Sequence, residues 1–314
     1  MDQAKKKVLV VGTGGIGGFF GAKLAKAGHE VSFVCRSDVE VVKAQGLQIR
    51  SYQGDFHVTP AQVVSKAADY VGQPDLILVA TKVLPEVNVP DLIRAVVFPQ
   101  TSILLIQNGI EIEDPIAQAF PETPLFSAIA FIGVSKIAPG VVHHQLRGNL
   151  EIGSYPADAA VGPSEWVDLF VQADVQAKAS KNIERSRWKK LIWNLPFNPI
   201  SVLTQANTAQ MLDNPNIRKL VIGVMGEVLC LARARGHHLE DRLIAQNIEA
   251  TEKMPPYQTS MLLDYLQKRP MEYRAILDTP VNIGIELGVK TPYILALAGL
   301  TELLSLEKSL DDTP

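Results

Sequence analysis

Two cysteines in 314 residues leave little room for thiol chemistry, and Cys35 and Cys230 have neither metal-ligand nor redox spacing. Nor does any cluster of His, Asp and Glu suggest a bound ion, so no metal is expected. Charge of one sign is also scarce: the formal net charge of −3 gives no reason to expect nucleic-acid binding. A membrane-spanning run is missing too. The stretch 191–212 has no charged residue, but it holds three Asn, two Gln, two Pro and several hydroxyls, far too polar for lipid. The opening MDQAKKKVLVVG passes from lysines directly into an apolar run and glycines, with no signal-peptide cleavage site. These absences point to a cytoplasmic, metal-free protein that works on small molecules.

What is present falls into two halves. Up to about residue 180, short β-rich runs alternate with helical stretches: 7–11, 30–35, 75–80, 102–107, 125–133, 141–145 and 150–154. Continuous apolar runs separated by helices predict a doubly wound, mainly parallel sheet covered on both faces. From about residue 183 only helical periodicity remains, as in 217–236, which ends on Gly236, a plausible C-cap. The chain thus reads as an α/β domain over 1–180 and an all-helical domain over 181–314.

The run Gly12-Thr13-Gly14-Gly15-Ile16-Gly17 follows the first strand and opens a helical pattern. In that context G-x-G-x-x-G has a mechanism. Gly12 permits a tight turn, Gly14 lets a pyrophosphate approach the backbone, and Gly17 lets helix and strand pack closely. The helix N-terminus then offers free N–H groups to the anion. The second strand ends at Arg36, where an NAD site would carry a carboxylate. A guanidinium there suits the 2′-phosphate of NADP(H), although Asp38 nearby argues the other way. Lys82 and Asn108 follow later strands, where ligands of open parallel sheets collect.

The stretch WKKLIWNLPFN (188–198) carries a polar stripe on an apolar helix: Lys190, Asn194 and Asn198 are four residues apart and share one face. By itself this is the pattern of an ordinary amphipathic helix. Taken in order, the glycine motif, Arg36, Lys82, Asn108-Gly109, W-K-K-L-x-x-N-x-x-x-N-P (188–199), S-M-L-x-D (260–264) and Glu272 together resemble the ketopantoate reductase (2-dehydropantoate 2-reductase) family over essentially the whole chain.

The resemblance implies an NADP-binding Rossmann-type domain followed by a helical domain, and NADPH-dependent reduction of ketopantoate to pantoate on the way to pantothenate and coenzyme A. It implies that Lys190 is the general acid, with Glu272 orienting the reacting groups and contacting cofactor. Asn194, Asn198 and Ser260 would bind a small 2-oxo acid, Ser260 through its carboxylate. Lys82, Asn108 and the Val134 backbone would contact NADP(H), and Asn108 would also reach substrate. Pro196 would kink the helix within the stripe. A homodimer is compatible with this pattern. A lysine in a partly desolvated site suits the chemistry, since burial lowers its pKa toward working pH.

Four positions depart from the family pattern: Leu277, Asp278, Tyr257 and Thr208. All are on the substrate side by resemblance, so a reductase of another branched or bulky 2-oxo acid is the alternative. A non-catalytic NADP sensor is a third reading, disfavoured because a sensor needs no proton donor. The six histidines receive no role. His143 and His144 are adjacent in a strand and should point to opposite faces.

Overall fold

The computed structural model describes residues 4–311, with side chains through residue 305. Two compact units emerge. The first comprises residues up to Lys82, Val87–Gln107 and Ile112–Ile183; the second comprises Val83–Glu86, Asn108–Glu111 and the chain from Glu184 onward.

The first unit is a ten-stranded sheet. Its strands are β1 (Lys7–Val11), β2 (Glu30–Val34), β3 (Leu47–Ser51), β4 (Phe56–Val58), β5 (Val63–Val64), β6 (Leu76–Val79), β7 (Ser102–Leu105), β8 (Leu125–Ala138), β9 (Val141–Tyr155) and β10 (Ala177–Ala179). The order is β4-β3-β9-β8-β7-β6-β1-β2-β5, with β10 beside β9. Only β3–β4 and β8–β9 pair antiparallel; the remaining pairs are parallel. The two apolar runs expected at 141–145 and 150–154 are one strand, β9, because the β8–β9 hairpin absorbs irregular register between them. Four further strands, β3, β4, β5 and β10, have no counterpart among the expected apolar runs.

Helices α1 (Gly15–Lys26), α2 (Val39–Gln45), α3 (Val89–Ile93), α4 (Asp114–Ala119) and α5 (Ser164–Gln172) cover this sheet. Strand alternation divides the core into two layers. Val8, Val10, Phe33, Leu76, Leu78 and Leu104 face a layer shared with Phe19 and Phe20 of α1 and Phe170 of α5. Their neighbours Leu9, Val11, Ile77, Val79, Ile103 and Leu105 face the other layer, with Ile93 of α3 and Ile116 of α4. Both faces of the central strands are therefore buried, which is why those runs are apolar without interruption.

The second unit is helical, with no strand among its described residues. It contains α6 (Ile183–Thr204, whose first residue belongs to the first unit), α7 (Thr208–Asp213), α8 (Pro215–Ala234), α9 (Arg242–Glu252), α10 (Ser260–Leu266), α11 (Thr279–Leu287) and α12 (Pro292–Asp311). A π-helical segment, Arg274–Asp278, leads into α11. Helix α6 runs through both Pro196 and Pro199, and its Leu191, Ile192, Leu195 and Phe197 enter the core of this unit.

Candidate active site

In the first unit, Gly12, Arg36 and Lys82 follow the C-terminal ends of the adjacent parallel strands β1, β2 and β6. The chain crosses from one side of β1 to the other between β2 and β6, the switch point at which open parallel sheets hold ligands. Gly12 has φ +102, and a Cβ there would lie 2.5 Å from the Thr81 backbone nitrogen. A Cβ on Gly17 would collide with the Gly12 carbonyl oxygen. Gly14 is different: no atom lies within 4 Å of where its Cβ would be. The turn is therefore closed where it packs on the sheet and open at Gly14, beside an α1 N-terminus that no side chain caps. An anion fits such a cradle.

The rest of this cradle is ordered by the strands around it. The Thr13 hydroxyl donates to the Val34 carbonyl at 2.9 Å, tying the turn to the end of β2. The Val134 carbonyl lies 3.0 Å from a Cβ built on Gly15, so the β8 backbone runs against the same turn. Ile16 is half-buried against the first apolar layer. Arg36 is exposed just past β2. Asp38 is buried and occupied: it accepts from the Gly140 N–H at 3.0 Å and pairs with Lys136 at 2.6 Å. That carboxylate is committed to the protein, leaving Arg36 as the exposed charge at this strand end.

In the second unit the chemistry gathers on α6. Lys190 Nζ donates to Asn108 Oδ1 at 2.8 Å, and Asn108 Nδ2 reaches Glu272 Oε2 at 3.5 Å. The other Glu272 oxygen accepts from the Val83 N–H at 3.0 Å. Arg187, nearly buried, donates to the Gly109 carbonyl at 3.1 Å. Burial, helped by the positive charge of Arg187 and opposed by Glu272, pushes the Lys190 ammonium down to about 8.

Asn194 and Asn198 continue the stripe and are 8% and 3% exposed. Among the described residues, neither side-chain amide has a hydrogen-bond partner. The buried side-chain polar atoms without a partner among the described residues are Ser32 Oγ and Arg235 Nε, so the two amides keep contact with solvent, which a polar ligand can replace. Ser201 Oγ, one turn further on, donates to the Asn198 carbonyl at 2.7 Å and contacts Thr259 Oγ1 at 2.6 Å. Thr259 caps α10 through the Leu262 N–H. Ser260, the next residue, is exposed at the start of α10 and is thereby held near the Asn198 turn.

The arrangement thus joins Lys190, Asn108 and Glu272 directly, and carries Asn194 and Asn198 on the same helix face with Ser260 nearby. Arg187, Ser201 and the Val83 backbone were not anticipated from sequence. The same arithmetic of about 100° per residue would have found two of them, since Arg187 and Ser201 fall within about 80° of Lys190.

Comparison with known proteins gives this geometry a family. The models Ketopantoate reductase PanE/ApbA and Ketopantoate reductase PanE/ApbA C terminal match residues 8–157 and 182–305. The chain belongs to the ketopantoate reductase family. It is similar to a 2-dehydropantoate 2-reductase of Nostoc sp., at 33% identity with 93% of each chain covered. It is also similar to the crystal structure of 2-dehydropantoate 2-reductase from Methylococcus capsulatus, at 42% identity and TM-score 0.89, covering 96% of this chain and 97% of that one. A D-mandelate dehydrogenase structure, 22% identical with TM-score 0.89 over 96% of this chain and 99% of that one, shares the fold.

Of the family departures noted in the sequence, Thr208 and Tyr257 meet each other. The Tyr257 N–H donates to Thr208 Oγ1 at 3.2 Å, and the Thr208 N–H donates to the Tyr257 carbonyl at 3.0 Å. The Tyr257 ring lies 6.4 Å from that of Trp193, which stacks on Phe197 at 4.9 Å. Leu277 is core, within the π-helical segment, and burial pushes the neighbouring Asp278 carboxyl up. Among the described residues no group of His, Cys, Asp and Glu could hold a metal, and no helix is long and apolar enough to cross a membrane. His144 is fully buried against Phe19, while His143 on the opposite strand face is half-buried.

Proposed function

We propose that this chain reduces 2-dehydropantoate to pantoate with NADPH in the cytoplasm, a step toward pantothenate and coenzyme A. One observation carries the reading: an ammonium pushed down to about 8 shares a helix face with two buried, unpartnered amides. A ketone reduction needs such a proton donor beside groups that hold a polar substrate.

The first unit is the cofactor half of this reading. Gly12, Thr13, Gly14, Gly15, Ile16 and Gly17 hold the pyrophosphate, Arg36 the 2′-phosphate, and Lys82 and the Val134 backbone further parts of the dinucleotide, which Asn108 of the second unit also contacts. NADPH, when bound, supplies the hydride. The second unit is the substrate half. Asn194 and Asn198 donate and accept along the 2-oxo acid, Ser260 meets its carboxylate, and Asn108 reaches it as well. Lys190 Nζ gives its proton to the carbonyl oxygen as that oxygen gains negative charge. Glu272 holds the Asn108 amide and counters the loss of positive character that burial imposes on Lys190, and it also contacts cofactor.

A second reading is favoured by Tyr257, Trp193 and Phe197, whose rings line up beside the stripe: the substrate is a bulkier 2-oxo acid. A steady-state screen of 2-oxo acids with NADPH separates the two. The highest kcat/KM is expected for 2-dehydropantoate, and a larger value for an aryl or longer branched 2-oxo acid would replace the first reading with the second. Exposed apolar side chains on the last two helices, such as Ile285, Leu295 and Leu303, support a homodimer, which sedimentation velocity tests.

A further inference from the structure

We propose that Arg187 is a positioning residue for this reduction: by holding the Gly109 carbonyl it fixes the Asn108 amide against the Lys190 ammonium. The inference rests on Lys190 being the acid of the proposed reaction. Arg187 and Lys190 are three apart on α6 and so share a face, one turn from each other. They grip two consecutive residues of a single turn, Lys190 through the Asn108 side chain and Arg187 through the Gly109 carbonyl. Gly109 has φ +105, so the turn is one that glycine adopts freely and that needs an outside contact to hold a single geometry.

The guanidinium has a second effect, because it is a cation that cannot be deprotonated. It lowers the Lys190 pKa, whereas Glu272 raises it. Both charged groups act on Lys190 from within the second unit. Glu111, on the same turn, is engaged by Arg235 at 2.9 Å. A merely structural arginine would hold the turn without tuning the acid; this geometry does both.

Two conservative variants separate the hydrogen bond from the charge. Arg187→Lys keeps the charge but lacks the forked reach to Gly109. Arg187→Gln keeps an N–H donor but removes the charge. The readouts are kcat and KM with NADPH, and a pH titration of 13Cε-labelled lysine by NMR in the cofactor-free protein. The Lys190 signal is assigned by its disappearance in Lys190→Arg. In Arg187→Gln the Lys190 midpoint is expected to rise by about one pH unit. In Arg187→Lys the midpoint should stay within a few tenths of a unit, while kcat falls by about tenfold and KM changes by less than about twofold. An unmoved midpoint in Arg187→Gln, or a wild-type kcat in Arg187→Lys, overturns the proposal. Because the titration needs no substrate, it tests the coupling of Arg187 to Lys190 even if 2-dehydropantoate proves not to be turned over.

Discussion

The glycine turn of the first unit and the polar stripe of the second solve different problems, and they announce themselves differently. The turn is local: six consecutive residues set the backbone, and the steric demands at Gly12 and Gly17 involve atoms fixed by the adjoining strands. The stripe is distributed. Lys190 meets Asn108 across 82 positions of chain, and Asn108 meets Glu272 across 164. A cradle made of backbone tolerates almost any side chain around it, whereas a proton donor depends on each partner. The two regions should therefore fail in different ways.

The largest expected effect lies in the stripe. Lys190→Ala should lower kcat by roughly two to four orders of magnitude, the range for a lost general acid, with NADPH affinity nearly unchanged. Lys189→Ala, about 100° round the helix, should cost little. The wild-type pH profile belongs to the same test. Reduction needs protonated Lys190, so kcat should be flat below about 8 and fall about tenfold per unit above it. If Lys189 is the essential residue and Lys190 is not, the stripe faces the other way.

Next in size is a contrast inside the turn. Gly17→Ala drives a methyl into the Gly12 carbonyl oxygen, and should destabilise the first unit by about 1–3 kcal/mol, as overpacking does. Gly14→Ala adds a methyl to open space. It should leave the melting temperature nearly unchanged yet weaken NADPH binding, because the methyl occupies the approach to the anion. Equal stability losses in both variants would show that the open side of the turn has no binding role.

Arg36→Ala comes third. Loss of a charge-assisted contact of about 2 kcal/mol should weaken NADPH by roughly thirtyfold and NADH far less. Fluorescence titration with both cofactors decides it: comparable losses would mean that Arg36 does not read the 2′-phosphate.

These tests bear on how much the sequence made visible. The central strands were legible because burial on both faces forces continuous apolar runs such as KVLVV and LILV. Strands β3, β4, β5 and β10 were not: β4, β5 and β10 are only two or three residues long, and in LQIRS of β3 and AKA of β10 polar side chains interrupt the run. Asp38 looked like a rival to Arg36 until its pairing with Lys136 and the Gly140 N–H removed it, a contact between residues about a hundred positions apart. Lys190, Asn194 and Asn198 were legible as a face but not as a site. Their spacing is that of any amphipathic helix, and only the resemblance gave it chemistry. Arg187 is hidden for the opposite reason: in ERSRWKK an arginine looks like one more solvated charge, and nothing local says it is buried.

The smallest expected effect is also the one that most sharply separates binding from folding. The Asn198 amide is 3% exposed and has no hydrogen-bond partner among the described residues. An ordinary buried asparagine, bonded within the protein, costs stability when replaced by alanine, because its partner is left unsatisfied. Here there is no partner to strand, and the amide atoms are not among the sealed, unsatisfied ones, so solvent meets them in the folded state. Asn198→Ala should therefore lose only the packing of its own short side chain and lower the melting temperature by little. Substrate binding should suffer instead, with KM for the 2-oxo acid up by about tenfold and kcat within about threefold of wild type, since an amide that meets ground state and transition state alike contributes uniform binding. Marked destabilisation with an unchanged KM would assign Asn198 to the core of α6 and end the stripe at Asn194.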